Sequence, residues 1–181
     1  MIFTQTKLSN VFEIGMDPLP DDRGFFARTW CQQEFEDRGL NPRLVQCSVS
    51  FNWKRGTLRG MHYQAAPYPE TKIVRCTRGA IYDVVIDLRP RSETLKEWVA
   101  VTLTSEKRNM IYVPEGCAHG FLTLEDETEV FYQMSEFYHP ELSCGVRWDD
   151  PAFQISWPGT VQVMSERDRS YPDFEPVQCA S

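Results

Sequence analysis

The sequence predicts one all-β domain spanning residues 1–181, built as an antiparallel sandwich or barrel. Many short runs rich in β-branched and aromatic residues follow one another at short intervals, with turn clusters between them. Only one early segment has the pattern of a helix, so the strand–helix alternation of a parallel sheet is missing. The chain contains no linker, low-complexity tract or repeat, and its length suffices for one substantial core.

One helix is predicted near the N-terminus, over residues 31–38. Gly39 follows it at the position where a left-handed cap is favoured. The aromatic run Arg-Gly-Phe-Phe-Ala-Arg-Thr-Trp precedes the helix and predicts a strand. The strands expected in this first part of the chain are residues 11–14, 23–30 and 45–52.

The remaining strands are predicted from apolar, β-branched runs that are bounded by turn residues. The strongest run follows Gly79 and has the sequence Ala-Ile-Tyr-Asp-Val-Val-Ile-Asp-Leu. The tail from Ser165 onward is expected to be irregular or helical. The later strands are predicted at 57–64, 72–77, 80–88, 98–103, 110–113, 120–124, 129–135, 146–148 and 153–157.

Residues 56–72 concentrate the basic and polar groups of the chain in one strand and the turn after it. Their sequence, GTLRGMHYQAAPYPETK, contains Arg59, His62 and Lys72. Strict alternation places Arg59 and His62 on opposite faces, unless Gly60 marks a bulge that resets the register. Basic side chains in a strand are costly to bury without a purpose, so this stretch predicts a functional site.

Composition argues against several classes of protein. The chain is 41% hydrophobic and 13% aromatic, unlike a disordered protein, and its formal net charge of −7 argues against a nucleic-acid partner. No run approaches the length of a membrane span, and the N-terminus lacks a signal-peptide pattern, so a cytoplasmic protein is expected. The six cysteines are scattered and are expected to be free, mostly buried thiols.

Two metal-binding patterns of the cupins, a class of double-sheet barrels, occur here in altered form. Gly56 and His62 have the spacing of the first pattern, but Gln64 replaces its second histidine and Lys72 stands near its carboxylate position. The second pattern, Pro-x-Gly-x-x-His, is matched and ends at His119. Zinc or iron sites normally need three or four ligands, and an ammonium group would oppose a cation. No metal is therefore expected, although His119 could also be a structural residue that caps a turn.

An ordered set of short motifs extends along almost the whole chain. The motifs are DRGFF at 22–26, LRGMHYQ at 58–64, KIVR at 72–75, VIDLR at 85–89, PEGCAHGF at 114–121, YHP at 138–140, WDD at 148–150, ISWP at 155–158 and SERD at 165–168. Over roughly residues 21–173 the chain resembles the dTDP-4-dehydrorhamnose 3,5-epimerases, which are metal-free cupins of deoxysugar synthesis. The resemblance implies a cupin jelly roll (a double-stranded β-helix) with short peripheral helices, no cofactor, and a homodimer in which an N-terminal strand reaches the partner's site.

The resemblance also implies four catalytic roles for proton exchange beside a C4 ketone. His62 is the expected base, because an imidazole with an ordinary pKa of about 6.5 suits proton abstraction near neutrality. Asp168 is expected to orient that imidazole, and Lys72 to stabilise the enolate oxygen. Tyr132 is expected to return a proton from the opposite face; without the resemblance it would be a barrel-lining aromatic residue.

The substrate expected from the resemblance is a 4-keto-6-deoxy sugar linked to a nucleoside diphosphate. Arg59 and His119 are expected to hold diphosphate oxygens or the sugar, and arginine suits bidentate phosphate contacts. Two positions depart from the family, which usually has glutamate where this chain has Arg28 and asparagine where it has Ser48. These changes predict an altered nucleotide preference. The residues expected around the nucleotide are Arg23, Phe26, Arg28, Gln46, Ser48 and Tyr138.

Three classes of function follow from these observations. The leading one is an isomerase that inverts C3, C5 or both centres through an enolate. A sugar-nucleotide-binding cupin without catalysis is the second, and the retention of all four catalytic residues argues against it. A metal-dependent cupin oxygenase is the third, and it is disfavoured by Gln64 and Lys72.

Overall fold

Two antiparallel sheets form the body of the computed structural model, which describes residues 1–175. One sheet has six strands and the other has five, and a separate two-stranded hairpin lies outside both. The largest group of buried apolar residues takes members from both sheets, so it fills the space between them. The all-β prediction and the jelly-roll arrangement are confirmed. Cys179, which is predicted to be a free thiol, lies outside the described residues.

The six-stranded sheet has the order β1-β2-β10-β7-β12-β5. Its central strand β7 pairs antiparallel with β10 and β12, so the chain crosses the sandwich several times. The strands of this sheet are β1 (Ile2–Gln5), β2 (Phe12–Gly15), β5 (Gln46–Asn52), β7 (Lys72–Arg78), β10 (Met110–Val113) and β12 (Thr128–Met134).

The five-stranded sheet has the order β13-β6-β11-β8-β9. Its strands are β6 (Leu58–Gln64), β8 (Ala80–Asp87), β9 (Trp98–Thr104), β11 (Cys117–Thr123) and β13 (Ser143–Gly145). The hairpin consists of β3 (Leu19–Asp21) and β4 (Gly24–Phe26), and the α-helices are α1 (Gln32–Glu36) and α2 (Glu166–Arg169), with one 3-10 turn at Pro140–Leu142. No helix in residues 1–175 is long and apolar enough to cross a membrane.

Strand β8 shows how alternation builds the core. Ile81 and Val85 face the interior between the sheets, whereas Val84 and Ile86 belong to a separate apolar group on the outer side. Both sides are buried, which explains why the sequence of this strand is apolar almost throughout. Asp83 shares the inner face with Ile81 and Val85 and is fully buried.

Three strand predictions were wrong in ways that have a physical cause. The run 23–30 pairs only over Gly24–Phe26, because its partner strand β3 supplies just three residues. Residues 146–148 and 153–157 are not strands; Phe153 and Trp157 instead pack as an apolar cover on the outer face of the five-stranded sheet. Hydrogen bonds support that packing, since Trp98 Nε1 donates to the Phe153 carbonyl at 2.9 Å and Trp157 Nε1 donates to the Trp148 carbonyl at 3.0 Å.

Strand β1 was not predicted, although it pairs with β2 along its whole length. The helix predicted over 31–38 is confirmed as α1, and Gly39 follows it with a φ of +68°. Helix α2 confirms that the tail after Ser165 begins with helical structure. Its Ser165 side chain accepts a hydrogen bond from the Asp168 backbone N–H at 3.1 Å.

Candidate active site

A pocket of about 570 Å³ opens between the two sheets at one end of the sandwich. The five-stranded sheet contributes Arg59, His62 and His119, and the six-stranded sheet contributes Lys72 and Tyr132. The tail that contains α2 closes one side with Asp168. Five site residues predicted from separate parts of the sequence therefore line this pocket, together with the predicted carboxylate of Asp168.

A bulge in β6 brings Arg59 and His62 to the same pocket. His119 pairs with His62 and Phe121 pairs with Arg59, so three steps along β6 oppose two steps along β11. Gly60 lies within this irregularity with a φ of +146°, and a Cβ there would lie 2.6 Å from the Gly120 Cα. Only glycine fits such a close approach of two backbones. The bulge that the sequence left as an alternative is thus present.

His62 and Asp168 form a carboxylate–imidazole pair at the pocket wall. The distance from His62 Nε2 to Asp168 Oδ1 is 2.7 Å, and Asp168 Oδ2 accepts the Gly60 backbone N–H at 3.4 Å. The His62 side chain is 36% exposed and the Asp168 side chain 5% exposed. Burial works to raise the pKa of Asp168, but hydrogen bonds from His62, Gly60 and Ser165 outweigh it, and the pKa lies below its ordinary value.

Lys72 projects from the start of β7 toward the base. Its Nζ lies 3.4 Å from the His62 carbonyl oxygen and 3.1 Å from Glu70 Oε1. The side chains of Lys72 and Glu70 are mostly buried, at 14% and 12% exposed. A fixed ammonium group at this depth can stabilise an oxygen that gains negative charge.

Tyr132 stands across the pocket from His62, on β12 of the other sheet. Its hydroxyl lies 3.2 Å from the Ser50 hydroxyl, and its ring approaches the His119 ring edge-on with 6.4 Å between centroids. Burial raises the pKa of Tyr132 well above its ordinary value, and the Ser50 hydrogen bond offsets part of that rise. The phenol is therefore protonated at neutral pH and can donate a proton.

Arg59 and His119 complete the pocket on the five-stranded sheet. The Arg59 Nε–H donates to Asn52 Oδ1 at 2.7 Å, which fixes a guanidinium that is otherwise exposed. His119 is only 4% exposed, and its Nε2 lies 2.8 Å from Asp83 Oδ2. His119 therefore lines the pocket and does not cap a turn.

A second pocket of about 460 Å³ adjoins the first and shares His62, Lys72 and Tyr132 with it. It holds three of the residues predicted to contact the nucleotide, namely Gln46, Ser48 and Tyr138. Because the two pockets share these residues, we treat them as one continuous cleft.

The other three predicted nucleotide contacts lie away from this cleft within one chain. Arg23 is 90% exposed and pairs with Asp21, while Phe26 is 73% exposed at the end of the hairpin. Arg28 pairs with Glu34 of α1 at 3.2 Å. The described chain thus does not bring Arg23, Phe26 or Arg28 to His62.

Gln64 occupies the position of a cupin metal ligand but is engaged elsewhere. Its Nε2 donates to the carbonyls of Tyr68 and Phe137, and its Oε1 accepts the His139 backbone N–H. Among residues 1–175, no group of three or more His, Cys, Asp or Glu side chains is arranged to hold a metal ion. The donor set around His62 is therefore a poor fit to a cation.

Sequence reasoning missed four residues at this site: Ser50, Glu70, Asp83 and Arg167. Asp83 had a detectable signal, because it is a charged residue inside an otherwise apolar strand. Arg167 lies one position before Asp168 in the SERD motif and lines both pockets. Ser50 gave no signal, since its contact with Tyr132 depends on the pairing of β5 with β12, and the contact of Glu70 with Lys72 depends on the turn before β7.

Comparison with known proteins gives concordant results along the whole chain. The family model described as dTDP-4-dehydrorhamnose 3,5-epimerase matches residues 5–176. A dTDP-4-dehydrorhamnose 3,5-epimerase from Methanothermobacter thermautotrophicus is 42% identical over 172 residues, which cover 93% of this chain and 92% of that protein.

Solved structures agree with the sequence comparison. The Bacillus anthracis dTDP-4-dehydrorhamnose 3,5-epimerase with TDP and PPi bound superposes with a TM-score of 0.90 at 36% identity, covering 96% of this chain and 99% of that one. A 3′-monoepimerase from Streptomyces bikiniensis in complex with dTDP-quinovose superposes with a TM-score of 0.85 at 29% identity, covering 93% and 85% of the two chains.

Proposed function

Because this chain belongs to the dTDP-4-dehydrorhamnose 3,5-epimerase family, we propose that the pocket between its sheets is the active site. The protein is an isomerase of deoxysugar biosynthesis, which epimerises a nucleotide-linked 4-keto-6-deoxy sugar at C3, C5 or both. The observation that carries the assignment of roles is the 2.7 Å contact between His62 and Asp168, opposite Tyr132.

His62 acts as the base in this proposal. It removes the proton from the carbon next to the C4 ketone, and the electron pair of that C–H bond moves to the ketone oxygen to form an enolate. Asp168 holds the ring in place through Nε2 and stabilises the imidazolium that forms. Lys72 stabilises the enolate oxygen, because a preformed charge in a partly dry pocket needs no reorganisation.

Tyr132 returns a proton to the same carbon from the opposite side. The enolate electron pair forms the new C–H bond, and the tyrosinate then regains its proton from solvent while His62 releases its own. Burial keeps the Tyr132 phenol protonated until the enolate forms. Inversion results because the abstracting and donating groups belong to different sheets.

The nucleotide end of the substrate lies in the adjoining pocket in this proposal. Arg59 lines the first pocket and binds the diphosphate in this proposal, because a guanidinium held by Asn52 can make paired contacts with phosphate oxygens. Gln46, Ser48 and Tyr138 surround the base and sugar of the nucleotide. The Bacillus anthracis relative binds TDP, and the Streptomyces bikiniensis relative binds dTDP-quinovose, which supports a thymidine nucleotide as the first ligand to test.

A second copy of the chain completes the site, and the protein is a cytoplasmic homodimer in this proposal. The exposure of Arg23 and Phe26 on the hairpin supports this proposal, because both side chains are free to contact a second chain. Arg28 would arrive beside the nucleotide with them, together with Ser48 of the receiving chain. The pair Arg28→Glu and Ser48→Asn should change the relative affinities for thymidine, uridine, cytidine and guanosine diphosphates.

Mixing two inactive variants tests the shared site. A mixed dimer of Arg23→Ala and His62→Asn has one cleft with both residues intact, provided that Arg23 acts across the interface. Statistical mixing should then restore about a quarter of the wild-type activity. If light scattering at the assay concentration shows a monomer and the protein has full activity, the shared site is contradicted.

Solvent isotope exchange tests the catalytic roles. In deuterated water with a dTDP-linked 4-keto-6-deoxy sugar, His62→Asn should lose both exchange and epimerisation, by about a hundred- to ten-thousandfold. Tyr132→Phe should still incorporate deuterium with retained configuration, because His62 can form the enolate and reprotonate it on the original face. NMR of the recovered sugar distinguishes the two results.

Two variants outside the cleft serve as matched controls. His139→Asn removes an imidazole that stacks on Tyr68, and Tyr82→Phe removes a phenol on the outer face of β8. Both should keep wild-type exchange and inversion. Undiminished exchange in His62→Asn would remove it as the base, and binding of dTDP without any exchange by the wild type would indicate a non-catalytic binding protein.

A further inference from the structure

The ring of His62 has unequal support from the two strands beside it. Its cross-strand partner on β11 is His119, and its partner on β13 is Gly145. Because glycine has no side chain, β13 offers nothing at this position for the imidazole to pack against. The His62 side chain is 36% exposed, so without other support it could leave its rotamer on that side.

Tyr171 occupies the space that Gly145 leaves. A Cβ at position 145 would lie 2.5 Å from Tyr171 Cε2, which is far closer than van der Waals contact. The rings of Tyr171 and His62 meet edge to face, with 6.3 Å between centroids and 64° between planes. Aromatic rings attract each other in this arrangement. The Tyr171 ring therefore takes the place of the side chain that β13 lacks.

Tyr171 belongs to the same short segment as Asp168. This segment, residues 165–174, begins with α2 and forms a strap that lies against β13 and β6. It brings a carboxylate to within 2.7 Å of His62 Nε2, and three residues later it brings an aromatic ring to the same imidazole. Two groups of one segment thus bear on the proposed base.

The strap is anchored on the far side of Tyr171. Arg147 Nη1 lies 2.7 Å from Asp173 Oδ1, and the Phe174 backbone N–H donates to Asp150 Oδ2 at 2.5 Å. The Asp150 side chain is buried, so this second contact joins the strap to the body of the domain. Since α2 fixes the other side, the position of the Tyr171 ring is set from both ends.

The hydroxyl of Tyr171 contributes little to this arrangement. It is buried and has no hydrogen-bond partner within residues 1–175. Burial raises the pKa of Tyr171, while the charge of Arg167 acts in the opposite direction, and the phenol is uncharged at neutral pH. Tyr171 is also not among the residues that line either pocket. What reaches His62 is the ring.

We propose that Tyr171 is a positioning residue whose ring, seated on Gly145, keeps the imidazole of His62 in contact with Asp168. This inference deepens the function proposed above and rests on it. A base has to be held within a fraction of an ångström of its productive position, and neighbours that are themselves fixed by packing provide that precision. Tyr171 acts on the rate through His62 and does not touch the substrate.

Arg167 also contacts the Tyr171 ring, with its Cζ 5.9 Å from the ring centroid. Its guanidinium is held independently, because it donates to the Ser143 carbonyl at 2.6 Å and to the Ser143 hydroxyl at 3.0 Å. Arg167 lines both pockets, so an effect of Tyr171 that passed through Arg167 would change KM. An effect that passes through the base changes kcat.

Kinetics of matched variants test this role. Tyr171→Ala should lower kcat by about tenfold to a hundredfold with KM little changed, because a displaced base slows proton abstraction. Tyr171→Phe keeps the ring and should keep wild-type kcat. Tyr82→Ala makes the same substitution in a partly buried tyrosine on the outer face of β8, and it should lower Tm but keep wild-type kcat.

Coupling to Asp168 separates positioning from a general loss of structure. In the Asp168→Asn background, Tyr171→Ala should lower kcat by about threefold or less, because the contact that it supports is already weakened. An equal fall in both backgrounds overturns the proposal. So does wild-type kcat in folded Tyr171→Ala, a loss of kcat in Tyr171→Phe, or a change in KM alone.

NMR tests the contact without turnover. The chain has three histidines, so their ring signals can be assigned with single variants. A nuclear Overhauser effect should connect ring protons of His62 and Tyr171 in the wild type, because the two rings meet at an edge. Its absence overturns the proposal even when Tyr171→Ala fails to fold. Absence of any isotope exchange by the wild type would instead refute the proposed function and leave the NMR result standing.

Discussion

Replacing Asp168 by asparagine isolates the contribution of the carboxylate that orients the base. The amide has nearly the same size, so the contact with the Gly60 backbone N–H at 3.4 Å can persist through its oxygen. What is lost is the negative charge beside His62 Nε2, at 2.7 Å. The perturbation is thus confined to the support of the imidazolium.

The size of the effect follows from the strength of that hydrogen bond. A hydrogen bond to a charged group contributes about 1.5–3 kcal/mol, and removal of that amount from the transition state lowers kcat by about tenfold to 150-fold. KM should change little, because the imidazolium forms only as the proton is taken. Exchange and epimerisation should fall together, unlike in Tyr132→Phe.

The pH dependence of stability provides an independent check. The pKa of Asp168 is lowered in the folded protein, so its stabilising contribution is present above the unfolded value of 3.8 and is lost as the pH falls through the folded value. Urea unfolding of Asp168→Asn should therefore show a deficit at pH 7 that shrinks in acid.

The assay needs a control and a refuting result. Asp149→Asn removes an exposed carboxylate paired with Arg147 at 2.6 Å, and it should leave kcat unchanged. Wild-type kcat in Asp168→Asn, with the protein folded, would show that Asp168 does not support the base.

Three further predictions concern the frame around the site. Asp87 is fully buried; burial works to raise its pKa, but hydrogen bonds from Arg89 and its neighbours hold it at about 2. The difference between that pKa and the ordinary value of 3.8 corresponds to about 2 kcal/mol of stability at neutral pH. This stability is lost as the pH falls from 3.8 to about 2. Urea unfolding of Asp87→Asn should therefore show a loss of about 2 kcal/mol at pH 7 and little loss at pH 2. Gly120→Ala places a Cβ 2.6 Å from Met61 Sδ and 2.7 Å from the Arg59 carbonyl, so calorimetry should show a Tm lower by roughly 2–12 °C, whereas Gly159→Ala, with its nearest atom 4.0 Å away, should not. Chelator treatment should leave epimerase activity intact, and activity lost together with stoichiometric zinc or iron would contradict the metal-free proposal.

The residues that line the pocket were predictable as a group because they lie in short motifs whose local chemistry is unusual. His62 and Lys72 are polar groups in strands, and Gly60 between Arg59 and His62 offered the bulge that brings both into one pocket. The bulge itself was beyond prediction from one strand, since its cause is the approach of Gly120 on β11. That contact exists only once the sheet has formed.

Other parts of the chain were not predictable for the same reason. Residues 153–157 alternate between apolar and polar side chains as a strand would. Phe153 and Trp157 are apolar, however, because they pack on the outer face of the five-stranded sheet. The aromatic run after Arg23 predicted a longer strand than its partner allows. The contact of Glu70 with Lys72 depends on the turn before β7. The packing of residues 153–157 joins segments far apart in sequence, whereas the short hairpin and the Glu70–Lys72 contact depend on the geometry of local turns.

The two-sheet architecture accounts for the stereochemistry of the proposed reaction. A base and an acid on one strand would approach a planar enolate from the same side, and reprotonation would restore the original configuration. His62 and Tyr132 lie on β6 and β12, which belong to opposite sheets. A sugar ring held in the cleft between them presents one face to each sheet. In the proposed reaction Lys72, on the sheet that carries Tyr132, can then meet the oxygen at the edge of the ring. Inversion therefore needs no large movement of the protein, only a substrate held between the two layers.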